Sequence, residues 1–219
     1  MTKKEKKVRL AAINERLEAL YPNAECALEY GGDPWKLLVM GRLSAQCTDA
    51  RVNIVSRELF AKYPTALDMA YARLDEIEGI VKPCGLYRMK AQNIRDASLM
   101  LVNEFGGELP RDMEGLLRLP GVGRKIANLL LGDVFHLPAV VCDTHCIRIC
   151  GRFGMYPESL KDPNKIETIL RDLLPNGDGS DFCHRIVLFG RDVCTARGYD
   201  CAECPMLDLC QHGIKKMGK

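Results

Sequence analysis

A chain of 219 residues, 47% hydrophobic but only 6% aromatic, is long enough to bury a core in one large domain or two small ones. That balance excludes a disordered polymer and argues against an aromatic-rich β-barrel. A net charge of +2 does not by itself indicate a polyanionic partner. Lys3, Lys4, Lys6, Lys7 and Arg9 crowd the first nine residues, and a solvated start accounts for that run at least as well as a DNA-contacting arm.

No apolar stretch approaches the length of a membrane span, and the basic start leads into an amphipathic pattern rather than an apolar signal segment. The expectation is a protein kept in the cytosol. Eleven cysteines in a reducing compartment point to metal binding or catalysis rather than to disulfides.

Nearly every segment reads as helix. Leu10, Ile13, Leu17 and Leu20 recur on one helical face. Asp33-Pro34 is a start signal, a capping side chain followed by proline at the first helical position, and predicts a helix through Trp35 to Leu43. Val52, Val55, Leu59 and Phe60 mark the next, ending before Pro64, and Thr65 with Asp68 resembles a capping box. Ile94, Ala97, Leu101 and Phe105 make a further helix that stops at Gly106-Gly107. Asp162-Pro163 opens a helix with Ile166, Ile169, Leu170 and Leu173 on its inner face, closed by Pro175; Phe182, Ile186 and Phe189 suggest a last one. The only strand-like run, Ala139 to Cys142, is too short to outweigh these. The fold class is therefore all-α, and composition reveals no domain boundary.

Three groups of residues carry chemistry. Cys194, Cys201, Cys204 and Cys210 are spaced C-x6-C-x2-C-x5-C, so four thiolates lie within 17 residues. Zinc prefers two paired knuckles separated by a longer finger; one tight pair with two outliers suits the corners of an iron–sulfur cubane better, with zinc as the alternative. Cys142, Cys146 and Cys150 follow at i, i+4 and i+8, but no fourth ligand is apparent and free cysteine packs as a small hydrophobe.

Leu119-Pro120-Gly121-Val122-Gly123-Arg124-Lys125 separates two helical stretches. Two glycines around one apolar residue permit a tight turn with open backbone N–H groups, which can hold a phosphate at a helix N-terminus. Lys125 falls in the first turn of the following helix, where the dipole repels a cation; that dipole and partial burial would favour the nucleophilic neutral amine. Asp143-Thr144-His145 follows an apolar run, and Asp143 or Thr144 is expected to cap the next helix.

Taken together, LSAQCTD at 43–49, GLYRMKAQNI at 85–94, LPGVGRKIAN at 119–128, VCDTH at 141–145 and the cysteine loop at 194–210 resemble the endonuclease III branch of the helix–hairpin–helix DNA glycosylases. The resemblance covers about residues 10–211 and implies two helical domains flanking a DNA-binding cleft. A six-helix domain would span 25–135, and residues 1–24 would join 136–219 in a discontinuous cluster domain. It further implies a [4Fe-4S] cluster on Cys194, Cys201, Cys204 and Cys210, and a monomer acting in the cytoplasm on the nucleoid. The partner would be double-stranded DNA holding damaged bases, chiefly oxidised pyrimidines, or abasic sites. Lys125 would attack C1′ of the flipped nucleotide and form a Schiff base, with strand nicking by β-elimination. Asp143 would assist the nucleophile. Gln46 and Leu86 would fill the gap left by the extruded base, and Gly121, Val122, Gly123 and Arg197 would contact DNA.

The chain departs from this pattern in places. The first cysteine loop keeps Arg197 but lacks further basic residues, Ile126 replaces a frequent threonine, and Arg42 is an unusual charge in an apolar helix, placed either to reach solvent or to touch DNA. Lys125 and Arg42 also set the chain apart from the adenine-excising branch, which lacks the lysine and carries a catalytic glutamate near the position of Arg42. A non-catalytic DNA-binding or redox-sensing protein is the rival from another class.

Overall fold

The computed structural model describes residues 1–174 and 179–218, so the expected stop at Pro175 lies outside the described residues. Twelve helices form among them, with no strand. The run Ala139 to Cys142 does not form a strand. No helix is long and apolar enough to cross a membrane. The chain divides into two compact units, one of residues 26–135 and one joining residues 1–25 to 136–219.

The contiguous unit contains α2 (Pro34–Leu43), α3 (Asp49–Lys62), α4 (Ala66–Ala70), α5 (Leu74–Val81), α6 (Tyr87–Glu104), α7 (Met113–Arg118) and α8 (Arg124–Asp133). Local chemistry sets most of their starts. The Asp33 carboxylate accepts from the amides of Trp35 and Lys36, while Thr65 and Asp68 form a reciprocal capping box ahead of α4. α6 is central: it packs on α2, α4 and α5, and α8 packs on α2 and α7. Trp35 joins α2 to α6, its indole N–H donating to Ser98 Oγ at 2.9 Å inside the core. Gly41 lets α8 approach α2 closely, since a Cβ there would stand 3.4 Å from Ile126 Cγ2. Ile126 is thus an apolar packing residue between these helices.

In the discontinuous unit, α1 (Lys3–Leu20) packs against α10 (Pro163–Leu173) and α11 (Gly179–Asp192). α9 (Thr144–Arg152) packs against α11 and the short α12 (Gln211–Lys216). The N-terminal helix is tied to the far end of the chain by polar groups as well as by its buried Leu10, Ile13 and Leu17. Arg16 Nη1 donates to the Pro205 carbonyl at 2.8 Å and to Asp208 at 2.5 Å, and Arg9 reaches the Leu209 carbonyl. Of the basic run, Lys3 pairs with Asp172 at 2.6 Å on the surface.

Three helices escape the hydrophobic periodicity: α5, α7 and α12 have 8, 6 and 6 residues, too short for two repeats of an apolar face. Ser98→Ala would leave the Trp35 N–H buried without a partner. We expect a loss of about 1–3 kcal/mol, read as a lower urea midpoint at unchanged slope.

Candidate functional site

The hairpin joins α7 to α8. Val122 is buried and its N–H closes the turn on the Leu119 carbonyl at 3.0 Å. Gly121 has φ +78°, and a Cβ there would lie 2.6 Å from Asn93 Nδ2 and 2.7 Å from Arg42 Nε. Glycine is required twice over, by dihedral and by space. Arg42 runs beneath the hairpin, where the Asn93 amide oxygen, in the orientation that satisfies both groups, accepts from its Nη2 at 2.9 Å and Nε at 3.0 Å. Burial pulls the Arg42 pKa down. The unusual charge in α2 therefore buttresses the hairpin from inside.

Gly123 occupies the N-cap of α8 and offers no side chain, so the first-turn N–H groups are not capped by one. Arg124 and Lys125 are the first two helical residues. Lys125 is exposed. The partial burial expected of it is absent: the apolar face of α8, with Ala127, Leu130 and Leu131, points inward, and position 125 falls on the opposite side.

Two other turns of this unit carry strain. Gln46 has φ +54° and Leu86 φ +48°, both left-handed, a conformation costing a non-glycine residue about 1–2 kcal/mol. Both side chains are exposed, Leu86 by 50%, so neither belongs to the core. Strain of this kind persists only where surroundings over-determine it. The surroundings here are Lys90, which is wholly buried and donates to the carbonyls of Leu43, Ala45 and Cys84.

In the other unit, Asp143 is the N-cap of α9, its Oδ1 accepting from the Cys146 amide at 2.7 Å, with Thr144 the first helical residue. One carboxylate oxygen is thus anchored and the half-buried side chain has a fixed direction.

Cys194, Cys201, Cys204 and Cys210 line one cavity together with Phe153, Phe189 and Leu207. The four thiols converge around a space rather than on a point. Among the described residues no group of three or more His, Cys, Asp or Glu closes on a single ion. Four thiols lining one space match the all-thiolate donor set of an iron–sulfur cluster. The wall supplies donors to sulfur: Arg152 Nη1 reaches Cys194 Sγ at 3.0 Å and the Gly213 amide reaches Cys210 Sγ at 3.4 Å. Burial pushes the Cys210 thiol up to about 11 and raises the Cys204 thiol as well, so thiolates at these two positions require a compensating positive charge.

The Arg152 guanidinium also stacks 3.8 Å from the centre of the Tyr199 ring. Arg148, one turn earlier, donates to the carbonyls of Cys194 and Gly190. Arg197 sits exposed at the tip of the loop, followed by Gly198 with φ +74°. Sequence reasoning missed Arg148 and Arg152; their signal was a pair of arginines at i, i+4 within an otherwise apolar helix.

The Cys146 thiol lies within hydrogen-bond reach of the thiols of Cys142, Cys150 and Cys183, a group of free cysteines drawn from α9, α11 and the segment just ahead of α9. Cys183 is the neighbour that sequence spacing did not reveal. These thiols pack against one another as small, polarisable groups.

A helical unit with a glycine hairpin and a second unit with four thiols around a cavity define a class, and comparison with known proteins gives the same one. Residues 39–176 match the HhH-GPD superfamily of base excision DNA repair proteins. Endonuclease III of Bacillus subtilis is 42% identical over 92% of this chain and 91% of its own, and that of Synechocystis 45% over 94% and 93%. A solved structure of a trapped endonuclease III–DNA covalent intermediate superposes with a TM-score of 0.89 at 38% identity, covering 99% of both chains. The chain belongs to the endonuclease III family of the HhH-GPD base excision DNA repair proteins. It is accordingly an enzyme, a DNA N-glycosylase with abasic-site lyase activity.

Gly121→Ala adds a methyl group into the Asn93–Arg42 contact at a left-handed position. We expect a loss of about 2 kcal/mol or more in stability, together with weakened binding to duplex DNA. Thermal melting and a filter-binding titration of the same preparation measure both.

Proposed function

We propose that this enzyme excises oxidised pyrimidines from double-stranded DNA through a Schiff base on Lys125. The observation that carries the reading is the exposed Lys125 in the first turn of α8, directly behind the hairpin, in a chain of this family. The trapped covalent complex of the 38% identical structural relative supports a nucleophile on the protein.

The damaged nucleotide leaves the stack, because C1′ is shielded within a duplex. The Lys125 amine attacks C1′ and the base departs with the bonding electrons, taking up a proton. Opening of the sugar ring gives an imine between C1′ and Nζ. Loss of a C2′ proton then expels the 3′ phosphate and cuts the strand. Bound DNA excludes water from around the Lys125 amine, a role that protein burial does not fill. Asp143, its direction fixed by the capping bond, assists activation of the nucleophile and stabilises positive charge developing on the sugar.

The first-turn amides of α8 with Gly121, Val122 and Gly123 hold a backbone phosphate. Gln46 and Leu86 fill the vacated space, Leu86 as an apolar wedge. Cys194, Cys201, Cys204 and Cys210 hold a [4Fe-4S] cluster. When bound, that cluster cross-links the C-terminal loop and shapes the segment bearing Arg197 for DNA. Arg152 and the Gly213 amide offset the charge of its thiolates. The protein acts as a monomer in the cytoplasm, on the nucleoid.

Borohydride trapping on duplex DNA with an oxidised pyrimidine or an abasic site tests the assignment. Wild type should give a covalent adduct and Lys125→Ala none, while Asp143→Asn should slow base release about a hundredfold or more. An adduct that persists in Lys125→Ala would remove the nucleophile assignment. Affinity for an abasic-site analogue should fall linearly with the logarithm of salt concentration as phosphate contacts release counterions; a flat response would contradict backbone binding.

A further inference from the structure

Lysine is among the residues least often fully buried, and Lys90 is 0% exposed. It lies near the start of α6 and its ammonium donates to Ala45 O at 2.6 Å, Leu43 O at 2.7 Å and Cys84 O at 2.8 Å. An ammonium has three protons and no acceptor, so all its donors are used. Burial pulls its pKa down, with the Cys47 and Cys84 thiols and Arg42 as the ionisable neighbours.

The acceptors are specific. Ala45 O belongs to the peptide whose nitrogen is that of Gln46. Cys84 O belongs to the next peptide upstream of Leu86, across Gly85 with φ +67°. Because a peptide is planar, fixing its oxygen fixes the plane on which the next residue is mounted. One ammonium therefore sets the approach to both left-handed residues. Among the described residues only Gln46, Leu86 and His136 are non-glycine residues with positive φ. Leu43 ends α2 and Ala45 lies just past its C-cap Ser44, where the dipole is negative, so a cation suits this place and an apolar side chain would leave the three oxygens without this donor.

We infer that Lys90 is a positioning residue that holds the 44–47 and 84–87 turns together, so that Gln46 and Leu86 enter the duplex as one wedge. This rests on the reading of those two residues as gap-fillers. Lys90 touches neither DNA nor the reacting atoms in this role. It acts through the two turns, and its removal should mimic removal of the wedge.

The experiment measures nicking of an abasic site in duplex and in single-stranded DNA by the full-length protein with its cluster intact. Wild type, Leu86→Ala, Lys90→Met and the double variant are compared. A second readout is the fluorescence of 2-aminopurine placed opposite the abasic site, which reports unstacking of the orphaned base. Leu86→Ala and Lys90→Met should each slow duplex nicking about tenfold and suppress the fluorescence rise, with single-strand nicking near wild type. The double variant should be no worse than either single one, because both act on one wedge.

Equal loss on both DNA forms, additive losses in the double variant, or a wild-type Lys90→Met would overturn the inference while Leu86→Ala still supports the wedge. An unaffected Leu86→Ala would sink the wedge reading and this inference with it. If Lys90→Met does not fold, Lys90→Gln, which keeps an amide donor, takes its place. Failure of both to fold would make Lys90 a folding residue and overturn the assignment.

Discussion

The crossing of α2 and α6 is the constraint on which three turns of the contiguous unit depend. Two cations occupy it. Arg42 leaves α2 to meet Asn93 of α6 beneath Gly121, and Lys90 leaves α6 to meet the carbonyls that end α2. Three turns, 44–47, 84–87 and 120–123, are thereby referred to one junction. Burying a charge is unfavourable unless hydrogen bonds replace water. At this crossing every acceptor is a backbone or amide oxygen, so the cations and the turns stabilise each other. An apolar crossing would pack at least as well but leave those turns without a reference.

The discontinuous unit answers the same need differently. Its functional loop has little regular structure: between Cys194 and Cys210 only a short 3-10 turn at Leu207–Leu209 forms. It is held from outside by arginines. Arg148 and Arg152 fix the first cysteine from α9, and Arg16 and Arg9 fix the last stretch from α1. Arginine suits this work because its planar fork serves a carbonyl and a sulfur, or a carbonyl and a carboxylate, at one time. The contacts from α1 give the N-terminal segment a structural role and leave fewer of its basic groups for DNA.

The sequence was legible where local chemistry decides the outcome. Asp33-Pro34, Thr65 with Asp68 and Asp162-Pro163 each start a helix because the capping side chain and the proline need nothing from the rest of the fold. Longer helices announced themselves by periodicity, whereas α5, α7 and α12 are too short for a repeat and form through packing. The four cysteines were legible by spacing. Cys183, Lys90 and the partner of Arg42 were not, because each meets its neighbours across long stretches of chain. The exposure of Lys125 was hidden for a related reason: a helix position predicts a face only once the packing partners of that face are known.

The left-handed residues carry the argument one step further. Gln46 and Leu86 are neither glycine nor asparagine, so the chain accepts strain at two places where a smaller residue would relieve it. Glycine would adopt the same dihedrals with no side chain to present. Strain at both positions, together with side-chain exposure at both and a shared buried cation, is what a rigid projecting pair requires. In the proposed role of gap-fillers, a flexible pair would lose entropy on each entry into a duplex, whereas a pair held rigid meets that cost when the protein folds. On this view the rigidity of the α2–α6 crossing acts on DNA through which nucleotide is displaced, and Lys125 receives a sugar already freed from its stack.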